Sequence, residues 1–71
     1  MMTDREVSWV LGEVSCRIHA SDRAVLLDSI RIAAWGDVRD FLGNYMSAEY
    51  VPCVVEYVER DPNVFSRLWG M

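Results

Sequence analysis

Between Val7 and Ile18 the apolar residues Val7, Val10, Leu11, Val14 and Ile18 fall at i, i+3, i+4, i+7 and i+11, one continuous stripe on a helix. Trp9, Gly12, Cys16 and Ala20 fall on roughly the opposite side, because each residue turns a helix by about 100°. A helix apolar on two sides is expected to be covered on two sides, so this segment is read as the central element, packed by the other helices or by a second chain. Its start carries a capping-box pattern, Thr3 followed by Glu6. The competing reading is a strand, since polar and apolar residues alternate from Glu13 to His19. Alternation fails at Val10-Leu11, whereas the helical register holds throughout, and the helix is preferred.

The next segment is read as a connection at His19–Asp22, with Ser21 or Asp22 capping a second helix that runs from Arg23 to Trp35. Leu26, Leu27, Ile30, Ala33 and Ala34 form its inner stripe, with Val25, Ile32 and Trp35 on another side. Gly36 is expected to end that helix, and Asp37 to cap a third one, Val38–Met46, whose inward residues are Val38, Phe41, Leu42, Tyr45 and Met46. Pro52 suits the first turn of a fourth helix, where its missing N–H costs no hydrogen bond. There Val51, Val54, Val55 and Val58 form a stripe, with Tyr50, Cys53 and Tyr57 on the other side. Asp61-Pro62 reads as N-cap and first residue of a last short helix bearing Val64, Phe65, Leu68 and Trp69 before Gly70.

These readings make the chain one small globular domain, residues 1–71, of the all-α class: a bundle of four to five short helices. The alternative is an α+β fold in which 51–58 and 64–69 pair as a C-terminal hairpin across Glu59–Asn63. Half of the residues are apolar, three of them Trp, which is more apolar surface than one core of 71 residues hides. Homo-oligomerisation, in the simplest case a homodimer, is the expected outlet.

Charge narrows the partners. The cations are seven arginines against eleven carboxylates, net −4, and residues 36–61 hold six of those carboxylates but two of the arginines. A chain that tracks phosphates carries a basic stripe, so direct nucleic-acid binding is not expected. The weak basic face of Arg17, Arg23 and Arg31 is interleaved with acids. A helix-turn-helix can be drawn over Arg23–Tyr45 with Gly36 in the turn, but its reading helix would present Asp37, Arg39, Asp40 and Asn44 to the groove. With no bilayer-length apolar run and no basic leader before an apolar stretch, the chain is expected to be soluble and cytoplasmic, without a membrane partner.

No catalytic constellation emerges. Cys16 and His19 are spaced C-x-x-H and would need Asp22 or Cys53 to complete a metal site, but two Cys and one His are few for one. The same pair lacks the third, orienting group that nucleophilic catalysis requires. A Cys16–Cys53 disulfide is conceivable between the first and fourth helices, but without a secretion signal reduced thiols are expected. The four glycines stand alone rather than in a phosphate loop. The chain is therefore expected to be no enzyme and to use no cofactor and no metal.

What remains is protein–protein contact. Trp9 and Trp35 lie off the main stripes of their helices, and with Val25 and Ile32 they are read as a partner-facing surface. Asp37, Asp40, Glu49, Glu56, Glu59 and Asp61 are read as contacts to a basic partner surface. The expected function is a small acidic inhibitor or adaptor, of the kind found in phage or other mobile elements, that blocks a host protein or nucleoprotein complex. The alternatives are a small helix-turn-helix regulator and a purely structural homodimerisation module.

Overall fold

The computed structural model describes residues 2–70. Five helices and no strand occur among them: α1 (Asp4–Arg17), α2 (Ala20–Arg31), α3 (Trp35–Leu42), α4 (Val51–Arg60) and α5 (Val64–Leu68). The all-α reading holds and the hairpin alternative falls away: the valine-rich stretch after Tyr50 is helical, with Pro52 in its first turn.

The core is a subset of the stripes that the periodicity picks out: Val10, Leu27, Ala34, Phe41, Tyr45 and Met46 are half-buried, and Ala33, expected inside, is exposed. Val7, Leu11, Val14 and Ile18 from the first segment meet Leu26 and Ile30, Val38 and Leu42, Val51, Val54, Val55 and Val58, and Val64 and Phe65, all buried. α1 packs on α4 and α5, while α3 packs on α2 and α4. The α1 cap forms as the sequence suggests: the Glu6 N–H donates to Thr3 Oγ1 at 3.2 Å, and the Thr3 N–H donates to Glu6 Oε1 at 3.1 Å.

Several boundaries differ from expectation, among them the end of α3, which comes at Leu42 rather than Met46. α2 starts at Ala20 with His19 as its N-cap, so Ser21 and Asp22 lie inside the helix rather than before it. Backbone alone makes this cap: the carbonyl of His19 accepts from the N–H groups of Asp22 and Arg23. His19 therefore marks the start of α2, at the positive end of its dipole.

The α2–α3 break comes earlier than Gly36. Ala33 adopts φ 57°, the left-handed region, and the chain closes α2 with paired bonds from the Ala34 N–H to Ser29 O at 2.8 Å and from the Ala33 N–H to Ile30 O at 3.0 Å. This is the Schellman arrangement, in which two otherwise unsatisfied carbonyls of the last turn are bonded. Gly36 is left inside the first turn of α3, where a Cβ would meet nothing within 4 Å. Ending α2 at Arg31 turns the chain back early enough for Val38 and Leu42 to reach full burial.

The last expected start signal is also displaced. Asp61 is the C-cap of α4, and α5 begins at Val64 after Asn63. Leu68 is 45% exposed, because so short a helix buries its Val64–Phe65 side only.

Candidate functional site

Two surfaces are left over once the core is filled. The first is the outer face of α1. Its core stripe runs through Val7, Leu11 and Val14, so Arg5, Trp9, Gly12 and Cys16 come to lie opposite, with Glu13 beside them. Trp9 is 68% exposed and Cys16 is exposed, which means that neither a helix of this chain nor another part of the described residues covers the back of α1.

Trp9 also forms one wall of an open groove of about 340 Å³, with Val10, Tyr45, Met46 and Tyr50 on its apolar side and Glu13 and Arg17 on its polar side. The far wall is held in place by polar contacts. Arg17 Nη2 donates to the carbonyl of Tyr45 at 2.8 Å, and the Tyr45 hydroxyl donates to Asp22 Oδ2 at 3.4 Å. The segment after α3 is thereby fixed to both α1 and α2.

The expected Trp9, Val25, Ile32, Trp35 surface is not brought together in one place. Val25 and Ile32 are 56% and 67% exposed and share a side of α2, seven residues apart. Trp35 is half-buried and turns into a separate groove of about 550 Å³ between the end of α2 and the start of α5, against Leu27, Ile30 and Pro62. The grooves of Trp9 and Trp35 have no lining residue in common. Tyr50, 38% exposed, belongs beside Trp9 and was not among the expected contacts. Its position off the α4 stripe is the signal that points to it.

The second surface is acidic. Asp37 and Asp40 on α3, Glu49 in the α3–α4 connection, and Glu56 and Glu59 on α4 are all exposed, and none takes part in an ion pair among the described residues. Elsewhere two acids are paired with arginines, Asp4 with Arg60 at 3.2 Å and Asp28 with Arg31 at 3.4 Å. Asp61, the sixth expected contact, is not free like the other five. It is half-buried, and Arg67 grips its carboxylate through both oxygens, which holds its pKa below the ordinary aspartate range and raises that of Arg67. Arg39 is the arginine interleaved with the acids of α3, while on α4 Glu56 shares a groove with Arg60.

Cys16 and Cys53 are free thiols, and among the described residues no three His, Cys, Asp or Glu side chains gather as a metal site. Among the described residues no helix is long and apolar enough to cross a membrane. Comparison with known proteins returned no match, whether to a family model, a curated protein or a solved structure.

Proposed function

We propose that the chain is a non-catalytic protein-binding module, a small acidic inhibitor or adaptor of the phage or mobile-element kind, which docks on a basic surface of a host protein or nucleoprotein complex. The observation that carries this reading is that Asp37, Asp40, Glu49, Glu56 and Glu59, on α3, α4 and their connection, are exposed and take part in no ion pair among the described residues. Exposed carboxylates without cations of their own repel one another, and a basic partner relieves that repulsion while gaining association rate and orientation.

The same residues weigh against reading duplex DNA. α3, the helix that would enter the groove, exposes Asp37 and Asp40 with one guanidinium between them, from Arg39.

Capture from a lysate of the native host tests the reading. The wild-type chain is compared with the variant Asp37→Asn/Asp40→Asn/Glu56→Gln/Glu59→Gln, whose substituted side chains are all exposed. The wild type should retain a protein with a basic surface, in a salt-dependent way, and the neutralised variant should lose it. Retention of the same protein by the neutralised variant, or a gel shift of duplex DNA by the wild type at low salt, overturns the proposal.

A further inference from the structure

The outer face of α1 has features that a solvated helix face does not need. Gly12 lies inside the helix, where glycine is the least favourable residue after proline, yet a Cβ at this position would meet nothing within 4 Å. Nothing within the chain therefore requires glycine there. One turn before it stands Trp9, a large ring left 68% exposed. Bordering these two are one cation and one anion, Arg5 and Glu13, which form no ion pair among the described residues.

From this arrangement we infer that α1 docks on α1 of a second copy of the same chain, antiparallel about a twofold axis that passes between Val10 and Leu11 in register. The occupant follows from self-complementarity. A twofold axis at that level sets Trp9 of each copy opposite Gly12 of the other, so that each indole fills the notch that the missing side chain leaves. It also sets Arg5 opposite Cys16 of the second copy, one helical turn from Glu13, within the reach of an arginine side chain. The two ends of the contact thus each join a guanidinium to a carboxylate, and like charges do not face each other. In the parallel orientation Arg5 would meet Arg5 and Glu13 would meet Glu13. An isologous contact of this kind closes on itself as a dimer and does not propagate. Tyr50 flanks the same groove and extends the apolar area on each side of the helix pair. A single helix face with one aromatic flank belongs to the small class of interfaces, for which a micromolar dissociation constant is expected.

The contact leaves α3 and the exposed side of α4 free, so it goes beyond the acidic-face reading and stands or falls separately from it.

Sedimentation equilibrium from micromolar to millimolar concentration tests the inference, with helix content followed by circular dichroism. The wild type should pass from monomer to dimer. Gly12→Leu should weaken the dimer by about tenfold or more, as loss of a central anchor does, while raising the thermal midpoint of the monomer through its better helix propensity. A residue with a merely structural role would move both readings the same way. Arg5→Glu and Glu13→Arg should each be monomeric alone, and an equimolar mixture of the two should form a heterodimer, since every pair across the axis is then of opposite sign. A wild type that stays monomeric throughout overturns the inference. So does a Gly12→Leu variant that dimerises like the wild type, or a mixture that associates no better than its components.

Discussion

The indole N–H of Trp69 donates to the carbonyl oxygen of Ser15 at 3.1 Å, joining positions 54 residues apart. Ser15 is in the last turn of α1, where carbonyls have no helical partner, so Trp69 acts as a remote cap. The same ring stacks on Phe65, with centroids 5.1 Å apart, and lies beneath the Arg23 guanidinium at 5.0 Å. One side chain thereby ties α1, α2 and α5. Trp69→Phe should keep the stacking and lose the hydrogen bond, costing about 1 kcal/mol. Trp69→Ala should cost about 3 kcal/mol, because packing goes too. Urea unfolding checks both, and equal losses for the two variants would contradict this division of roles.

Trp9 stands in contrast to Trp69. With most of its surface in solvent and no polar partner for its indole among the described residues, Trp9→Ala should change unfolding free energy by no more than about 0.5 kcal/mol. Trp35→Ala, which empties the groove beside Leu27 and Ile30, should cost about 1–2 kcal/mol. If Trp9→Ala unfolds the chain, its ring belongs to the core and the α1 face is not free for a partner.

At the α2–α3 turn the left-handed residue is an alanine, and a glycine three positions later sits where a helix prefers a side chain. Ala33→Gly should stabilise the fold by about 1 kcal/mol, relieving the contact of Cβ with its own backbone. Gly36→Ala should add about 0.5–1 kcal/mol through helix propensity. Each should lift the thermal midpoint by several degrees in a chain of this size. A fall in midpoint for Ala33→Gly would mean that the turn is held by something other than its backbone bonds.

Acid should weaken the fold through two identifiable carboxylates. The Thr3 N–H and hydroxyl lower the pKa of Glu6, and Arg67 lowers that of Asp61. Both groups bind a proton less readily folded than unfolded, so their contribution is complete above the ordinary carboxylate range and is lost as pH falls through it. Thermal midpoints measured from pH 7 down to pH 3 should decline, and the decline should be shallower in Glu6→Gln/Asp61→Asn. An unchanged slope in that variant would place the acid sensitivity elsewhere.

How far the sequence could be read follows the range of the forces involved. Helix α1 was legible in its stripe and cap, since Thr3, Glu6, Val7, Leu11 and Val14 act within one or two turns. The valines of α4 were ambiguous on propensity alone, and Pro52 decided correctly for a helix. The α2–α3 boundary was not legible, because Ala33 takes a conformation that glycine normally takes, and what holds it there is the pair of bonds to Ser29 and Ile30 together with burial of Val38 and Leu42. Asp61 was misread for a related reason: Arg67, six residues on, takes the carboxylate that was expected to cap a helix. Of the expected contacts, five acids are exposed on α3, α4 and their connection, while Asp61 is held by Arg67. The aromatic and aliphatic group divides among three places, since the sequence says which side of its own helix a residue occupies but not which helix lies next to it.

The remote cap also sets an order in time. Ser15 leaves the ribosome 54 residues before the indole that completes it, so a nascent chain can coil α1 early but cannot seal its C-terminal end until α2 to α5 have followed. Premature termination anywhere upstream of Trp69 would therefore release a first helix that is frayed where it should be fastened, and exposed to proteases at that end.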